Sequence, residues 1–441
     1  MNGITELERA RRSREERGGC INMVNSDFRA AGLLFPEQFY REAWDRWRAD
    51  PACPPTGRGS PEARRAVAAF LSGDGLETRA EELILTAGSS ISYSLLFAFL
   101  KGRRERSGGA LGGGAGGNPE GAPAPGDGTI ALPRPGYPLF EELVHAAGLS
   151  PLWYTLDPAG GFIPDPPAVR AVLEQNPLAL VLVSPNNPSG AVYGREVLKN
   201  LLLLCSERGI PIISDEVFSS FRGDSGQDRS LLPRPAALLD RNGKAGGGSS
   251  RIPLVFSLNG LSKLCAAPEV KLGWIAVHGS TEAVREAVET LDTLHDTYLT
   301  LSGFAGKAAE IFLSPAAASA RGELARRVDT MRCALLEGLL QVKGLSVPGG
   351  NPAAAGGGSG GIHRIVQLDG NLCAERFGTL DDERIARKLV SEQGVYLHPG
   401  YLYGLDRSVT GTADPFFVIT CLHAPHVLEE CLRRLTQALR G

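Results

Sequence analysis

The sequence predicts an α/β protein built around a mostly parallel β-sheet. Short uninterrupted apolar runs, such as LALVLV and IPII, have the length and composition of strands that are buried on both faces. Stretches with apolar residues near helical spacing, such as REVLKNLLLLCSER, come between these runs. This alternation is typical of a parallel sheet that is covered by helices.

The chain has 441 residues, more than the roughly 250 to 300 at which one hydrophobic core stops growing. We therefore expect two domains, and the sequence pattern changes after about residue 300. The predicted division is an N-terminal arm (1–45), a large domain (46–300) and a smaller α+β domain (301–441). Glycine-rich stretches that cannot offset their ordering entropy by burial are predicted as flexible insertions near 102–128, 222–250 and 349–361.

The composition excludes several functional classes. A net charge of -3 does not provide the basic surface that general nucleic-acid binding needs. The eight cysteines have no CxxC spacing and no clustering with histidine, so we expect no metal site and a reducing, cytoplasmic setting. No apolar segment follows Arg11 and Arg12, and no run of eighteen apolar residues occurs, so neither export nor membrane spanning is predicted.

Two helix starts can be predicted from the sequence. Ser60 is a candidate N-cap with Pro61 at the first helical position. The predicted strand ELILT is followed by Gly88, Ser89 and Ser90 at the start of an apolar helix. Free backbone N–H groups and the helix dipole favour an anion at such a place, although an ordinary capped helix explains the same residues.

The stretch SLNGLSKLCAAPEVKLGWIAV contains a lysine with a possible chemical role. Lys263 lies between the apolar runs PLVFSL and GWIAV, which we interpret as buried strands of the parallel sheet, and it is predicted on a loop at a strand end. A lysine amine becomes a nucleophile when its pKa is lowered. Taken alone, Lys263 is better explained as an ordinary surface lysine.

Polar residues also follow other predicted strands. Tyr137 comes after TIALPRPG, Asn187 lies in NNPSG after LALVLVSP, and Asp215 follows IPIIS. A carboxylate at a buried strand end is costly unless it is paired. Parallel sheets bind ligands at the carboxyl ends of their strands, so these residues form a candidate site. A turn tyrosine, a plain turn and a helix cap remain alternatives for the three positions.

In this order, PGY, NNPSG, Asp215, GLSK and KLGW resemble the motifs of fold type I pyridoxal-phosphate enzymes, the class I/II or aspartate aminotransferase family. The resemblance covers roughly residues 23–441. Within the family, the chain resembles a divergent, bacterial-type branch. It implies a seven-stranded, mostly parallel sheet in the large domain, pyridoxal 5'-phosphate as cofactor and a homodimer. It also implies that residues 25–32 line the substrate cleft.

The resemblance implies a role for each candidate residue. Lys263 would hold pyridoxal phosphate as a Schiff base and then move a proton at the substrate's α carbon. Asp215 would face the pyridine nitrogen, Tyr137 would stack on the ring, and Asn187 would donate to the phenolic oxygen. The residues implied to hold the phosphate are Gly88, Ser89, Ser90, Ser262 and Lys271.

Several positions depart from the family pattern near the cofactor. Lys271 stands where an arginine that forks onto the phosphate is usual, and a lysine lacks that geometry. Gly260 replaces a common serine, and Phe218 replaces a common tyrosine, keeping the ring without the hydroxyl. Cys53 or Pro54 occupies the place of a tyrosine that reaches the partner subunit's phosphate.

One departure concerns the substrate. In FFVITCL, Val418 stands where the family usually has the arginine that binds the substrate's α-carboxylate. Arg58, Arg134 and His398 are nearby cations in motif order that could replace it.

The sequence therefore predicts an aminotransferase that moves an amino group between an amino acid or related amine and a 2-oxo acid. A pyridoxal-phosphate lyase or synthase, such as a carbon–sulfur lyase or an aminocyclopropane-carboxylate-synthase-like enzyme, remains an alternative, because fold does not fix the reaction. A catalytically idle cofactor-binding regulator is the third possibility, although no basic domain or helix-turn-helix pattern supports it.

Overall fold

A computed structural model describes residues 5–50, 57–106, 128–223, 234–239, 252–299, 301–349 and 358–440. The strands are β1 Ile21–Asn22, β2 Leu83–Thr86, β3 Thr129–Arg134, β4 Ser150–Thr155, β5 Leu180–Val183, β6 Ala191–Val192, β7 Ile212–Asp215, β8 Val255–Gly260, β9 Gly273–His278, β10 Leu345–Ser346, β11 Gly358–Ser359, β12 His363–Leu368, β13 Val395–Tyr396, β14 His398–Pro399 and β15 Phe416–Thr420. The α-helices are α1 Glu6–Arg17, α2 Glu37–Ala49, α3 Pro61–Gly73, α4 Ser89–Arg106, α5 Leu139–Ala146, α6 Pro166–Leu173, α7 Arg195–Arg208, α8 Leu261–Leu264, α9 Thr281–Asp296, α10 Gly303–Phe312, α11 Ala318–Leu339, α12 Gly370–Phe377, α13 Asp382–Lys388, α14 Arg407–Thr410 and α15 Pro425–Arg440.

The central sheet has seven strands in the order β2-β9-β8-β7-β5-β3-β4. The neighbours from β8 to β4 are parallel, whereas β9 runs antiparallel to both β2 and β8. The predicted α/β fold with a mostly parallel sheet is confirmed. The expectation that GWIAV forms a parallel strand is wrong, because the short connection 261–272 between β8 and β9 lacks the long crossover helix that parallel neighbours need.

Helices cover both faces of this sheet. Leu180 and Leu182 of β5 pack on one face with α3, α7 and α10, and Val181 and Val183 pack on the other with α4, α5 and α9. Each fully buried aliphatic side chain of this kind contributes about 1.5–3 kcal/mol. Burial on both faces explains why the strand sequences are continuously apolar.

A second, antiparallel sheet has four strands in the order β10-β12-β15-β14. Phe417 and Ile419 of β15 pack with α11 and α15 in a separate core, whereas Val418 and Ile365 point to the core of the seven-stranded sheet. The alternating side chains of β15 therefore connect the two cores. The predicted domain boundaries at 45 and 300 are not tested by this arrangement and stay a prediction.

Local signals in the sequence agree with several helix and strand ends. Ser60 caps α3, where its side chain accepts a hydrogen bond from the Ala63 amide at 3.2 Å, and Pro61 is the first helical residue. The described part of the predicted N-terminal arm, residues 1–45, contains α1. In the described parts of the chain, no helix combines the length and the apolarity needed to cross a membrane.

Parts of the three predicted insertions are ordered elements. Helix α4 continues to Arg106, beyond the predicted start of the first insertion at 102. In the second, Arg234 is buried and forms ion pairs with Asp74 and Glu216. In the third, β11 pairs with β6. The predicted insertion residues 107–127, 224–233, 240–251 and 350–357 lie outside the described residues.

Candidate active site

The predicted site residues follow strands that end at one edge of the seven-stranded sheet. Asp215 at the end of β7 lies opposite Val183 of β5 and Leu258 of β8. Gly273 of β9 lies opposite both Thr86 of β2 and Gly260 of β8. The segments that carry Gly88, Asn187, Asp215 and Lys263 therefore leave the sheet side by side.

Lys263 lies on the one-turn helix α8, and not on a loop as predicted. The turn forms because Leu261 and Leu264 are buried beneath it, which leaves Lys263 on the cleft side. Its Nζ lies 5.5 Å from the centroid of the Phe28 ring. Burial lowers the pKa of Lys263, and the negative charge of Asp27 opposes this shift. The predicted cleft segment 25–32 therefore contributes Asp27 and Phe28 beside the lysine.

Asp215 is a buried carboxylate, 8% exposed, that accepts two hydrogen bonds. Tyr93 Oη of α4 donates to its Oδ2 at 2.9 Å, and the Val217 amide donates to its Oδ1 at 3.0 Å. Burial raises the pKa of Asp215 to about 6 and Glu216 adds to this, whereas the two hydrogen bonds lower it. Sequence analysis missed Tyr93, because a tyrosine within an apolar helix looks like any core aromatic residue.

Tyr137 lies in the turn between β3 and α5 and is 37% exposed. Its ring meets Phe140 edge-on at 5.5 Å. Burial raises the pKa of Tyr137, and the nearby charge of Asp215 adds to the shift. The Gly136 amide donates to the Tyr403 carbonyl at 3.0 Å, so this turn is fixed to the segment after β14.

The NNPSG turn follows β5 and is closed by Asn186. Its Oδ1 accepts from the Ser189 amide at 3.1 Å and from Ser189 Oγ at 2.7 Å. The Gly190 amide donates to the Asn186 carbonyl at 2.8 Å. The neighbouring Asn187 is buried, and within the described residues its Oδ1 has no hydrogen-bond partner. An amide in that state fits a polar ligand group.

The predicted phosphate-binding residues lie where the loop before α4 and the start of β9 are in close backbone contact. Gly88, with φ +132°, has open space on its Cβ side, and Ser89 and Ser90 form the first turn of α4. A Cβ on Gly273 would lie 3.0 Å from the Gly88 Cα, so strand β9 runs directly against this loop. The loop thus presents the start of an eighteen-residue helix to the site.

The other two predicted phosphate ligands lie on the segment between β8 and β9, next to this contact. Ser262 is half-buried on α8, and Lys271 is exposed with φ 53° just before β9. A Cβ on Gly260 would lie 2.6 Å from the Leu272 carbonyl oxygen. This contact gives a physical reason for glycine where the resembling family commonly has serine.

His363 of the four-stranded sheet lies near Lys263, whose charge acts on its imidazole. Phe218 meets the His363 ring edge-on at 5.9 Å. Val418 is fully buried and lies opposite both Ile365 and His398. Sequence analysis did not identify His363, since a histidine that begins the predicted strand HRIVQL carries no motif.

Two of the three predicted replacement cations are engaged in ion pairs. Arg58 pairs with Asp292 at 3.2 Å, and Arg134 pairs with Asp406 at 2.7 Å. The third candidate, His398, lies next to Val418. Cys53 and Pro54, predicted at the position of a tyrosine that reaches the partner subunit, lie outside the described residues.

The residues of this site fit pyridoxal phosphate. A buried carboxylate, Asp215, suits a protonated ring nitrogen, and the amide of Asn187, whose oxygen is unpaired within the described residues, can meet a polar group on the ring. The open helix start at Gly88 suits a phosphate, and the lowered pKa of Lys263 suits an amine that reacts with an aldehyde.

Comparison with known proteins finds similarity to aminotransferases and to a lyase. Nicotianamine aminotransferase B of Hordeum vulgare is 29% identical over 57% of this chain and 38% of its own length. S-alkyl-thiohydroximate lyase of Arabidopsis thaliana is 29% identical over 54% of this chain and 43% of its own length. The matched stretches thus span less than half of these relatives.

A solved structure gives the same fold. Alanine aminotransferase from Pyrococcus furiosus superposes with a TM-score of 0.79 at 20% identity, covering 100% of this chain and 97% of that one. The sequence profile described as "Aminotransferase class I and II" matches residues 53–435. Since that profile spans most of the sequence, the chain belongs to the class I and II aminotransferases, a family that depends on pyridoxal phosphate.

Proposed function

We propose that this protein is an aminotransferase that moves an amino group between an amino acid or a related amine and a 2-oxo acid. The observation that carries the proposal is that the half-buried Lys263, whose pKa burial lowers, and the buried carboxylate Asp215 lie at the same ends of the neighbouring parallel strands β8 and β7. When bound, pyridoxal phosphate supplies an electron-withdrawing ring that eases bond breaking at the substrate's α carbon.

The roles of the chain's own residues follow from their positions. Lys263 holds the cofactor's aldehyde and then carries a proton at the α carbon, because burial lowers the pKa of its amine and so favours the neutral form that can accept a proton. Asp215 keeps the ring nitrogen protonated, and Asn187 and Tyr137 orient the ring. Phe218 packs beside it. The phosphate is held by Gly88, Ser89, Ser90, Ser262 and Lys271.

The test is covalent mapping followed by donor assays. Borohydride reduction of the cofactor-loaded protein and peptide mass mapping should find the pyridoxyl group on Lys263. Lys263→Ala should lower amino transfer by at least about 10³-fold, because it removes both the attachment point and the proton carrier.

Lys101→Ala is the control, since that lysine donates to the Ala147 carbonyl at the far end of α4. It should keep full activity. A pyridoxyl group on another lysine, or undiminished transfer by Lys263→Ala, would contradict the proposal.

A lyase is the second candidate, and the similarity to the Arabidopsis lyase favours it specifically. The two reactions leave different products. An aminotransferase consumes a 2-oxo acid and forms an amino acid, whereas a carbon–sulfur lyase releases its product without an acceptor. Product analysis with and without a 2-oxo acid separates them.

We also propose a homodimer in a cytoplasmic setting, with the domain division 1–45, 46–300 and 301–441. The dimer is supported by exposed apolar side chains such as Trp44, Tyr298 and Leu299 on the described surface. The domain division is supported by the two separate sheets and cores. Light scattering and limited proteolysis test these two points, and cell fractionation tests the location.

A further inference from the structure

One face of the four-stranded sheet is turned toward the cofactor site. On this face, Val418 of β15 lies opposite Ile365 of β12 and opposite His398 of β14. His363 lies two residues before Ile365, and alternation along the strand places it on the same face. Since Ile365 and Val418 pack into the core of the seven-stranded sheet, both imidazoles belong to the face that is turned toward that core, and His363 lies close enough to Lys263 to feel its charge.

Each imidazole is held in a defined position. The His363 ring meets the edge of Phe218 at 5.9 Å. His398 Nδ1 lies 3.0 Å from Tyr403 Oη, and the ring of Tyr396 is 5.5 Å away. Both imidazoles on this face of the sheet thus have fixed neighbours.

Both imidazoles are neutral at pH 7 when no ligand is present. Burial lowers the pKa of His363 to about 3, and the positive charges of Lys263 and Arg364 add to this. Burial lowers the pKa of His398 to about 4, where Glu8 opposes the shift and Arg11 adds to it.

Arg364, next to His363 in sequence, and Arg134, one of the predicted replacement cations, have other partners. Arg364 points to the opposite face of the sheet, where it donates to the Gly360 carbonyl and to Ser359 Oγ, each at 2.7 Å. Arg134 is paired with Asp406. Beside Lys263, the charge that acts on the amine is the carboxylate of Asp27, which repels anions. On the described part of this face, the two imidazoles are hydrogen-bond donors that can meet an anionic group.

We propose that His363 and His398 form the subsite for the carboxylate group shared by the amino acid and the 2-oxo acid. This inference rests on the proposed aminotransferase function and deepens it. A neutral imidazole donates one N–H to a carboxylate oxygen, and a bound carboxylate also favours the imidazolium form. Carboxylate binding is therefore accompanied by proton uptake and strengthens as the pH falls, unlike binding to a permanently charged arginine.

The test uses pairs of donors that differ only by the carboxylate. The cofactor-loaded protein is mixed with L-phenylalanine or 2-phenylethylamine, and with L-alanine or ethylamine, and the absorbance change of the bound cofactor is followed over a single turnover. His363→Asn and His398→Asn should raise the half-saturating amino acid concentration by about 10- to 100-fold, while the amines change by no more than about twofold.

The pH profile provides a second readout. In the unaltered protein, the half-saturating amino acid concentration, taken relative to that of the matched amine, should fall as the pH is lowered from about 7 to about 5, toward the lowered pKa values of the two imidazoles, and both asparagine variants should weaken this dependence. Val418→Arg should also weaken it, because a fixed cation then binds the carboxylate. If that variant fails to bind cofactor, the two asparagine variants decide the outcome alone.

His278→Asn is the matched control. His278 is another histidine whose pKa burial lowers to about 4, but it lies at the opposite end of β9, across from Val255. This change should affect neither member of a donor pair.

Two results would overturn the subsite while leaving amino transfer intact. One is an equal loss for amino acids and amines in the histidine variants, and the other is an unaltered protein that accepts each amine as readily as its amino acid. If no donor at all changes the absorbance of the loaded protein, the proposed function itself fails, and the subsite fails with it.

Discussion

At the scale of single residues, the most informative contact is the hydrogen bond from Tyr93 to Asp215. The carboxylate is buried where desolvation raises its pKa to about 6, close to neutral pH. The tyrosine hydroxyl and the Val217 amide favour the ionised form, and a proton on the cofactor's ring nitrogen requires that form. Tyr93 is therefore a positioning residue that keeps Asp215 charged.

Tyr93→Phe is expected to raise the pKa of Asp215 above about 6, because one hydrogen bond to the carboxylate is removed. The fraction of ionised Asp215 at pH 7 then falls. A hydrogen bond to a charged group contributes about 1.5–3 kcal/mol, so the cofactor should bind roughly tenfold or more weakly. The acid limb of the pH profile of the loaded protein's absorbance should move to higher pH.

Tyr154→Phe serves as the control for this change. Tyr154 is equally buried, but its hydroxyl donates to the Val181 carbonyl at 2.6 Å and not to a titratable group. It should lower stability without moving the pH profile. An identical shift in both variants would show that Tyr93 acts only through packing.

At the scale of elements, the site depends on how closely strand β9 approaches the loop before α4. The backbones of Gly273 and Gly88 touch, since a Cβ on Gly273 would lie 3.0 Å from two atoms of Gly88 and 3.1 Å from the Asn259 carbonyl oxygen. The antiparallel direction of β9 brings Gly273 to this edge directly after Lys271 and Leu272. This one contact thus joins the start of helix α4 to the segment that carries Lys271.

Gly273→Ala is expected to displace the Gly88 loop by a few tenths of an ångström. Overpacking of this kind costs about 1–3 kcal/mol of unfolding free energy. Because the displaced atoms belong to the predicted phosphate-binding loop at Gly88, the affinity for pyridoxal phosphate should fall as well. Thermal unfolding with and without pyridoxal phosphate measures both effects.

Gly322→Ala makes the same chemical change in an exposed position of α11, where no atom lies within 4 Å of the added Cβ. It should stabilise the protein by about 0.5–1 kcal/mol and leave cofactor affinity unchanged. If Gly273→Ala left cofactor affinity unaltered, the contact between Gly273 and Gly88 would not contribute to cofactor binding.

At the scale of the whole molecule, the buried acid links stability to pH. The pKa of Asp215 is about 6 in the folded protein against an ordinary 3.8. The unfolded chain therefore releases this proton first as the pH rises, and the folded state loses stability between about pH 4 and pH 6. The loss reaches about 3 kcal/mol above that range for the cofactor-free protein.

Asp215→Asn should therefore make the cofactor-free protein more stable at pH 7, by up to about 3 kcal/mol, while it weakens cofactor binding. Below about pH 4 the variant and the unaltered protein should unfold alike, because Asp215 is then protonated in both states. Denaturant unfolding from about pH 4 to pH 7.5 measures the difference. A difference that stays constant with pH would refute the linkage.

Much of the fold follows from the sequence because period and composition are local properties. The continuous apolar runs of β5 and β7 predict strands buried on both faces, and Ser60 with Pro61 predicts the start of α3, each from a few neighbouring residues. The approximate positions of Asn187, Asp215 and Lys263 follow in the same way, since each comes directly after such a run. Their functional roles remain predictions that the experiments above address.

Tertiary structure alone decided which distant residues meet. Tyr93 looks like a core residue until packing of α4 on the sheet brings its hydroxyl to Asp215. His363 has no motif, and only the pairing of β12 with β15 places it near Val418 and Lys263. Strand β9 runs antiparallel to β8 because the connection 261–272 between them is too short for the crossover that parallel strands need. Charge, burial and proximity are sums over the whole fold, and no local stretch of sequence contains them.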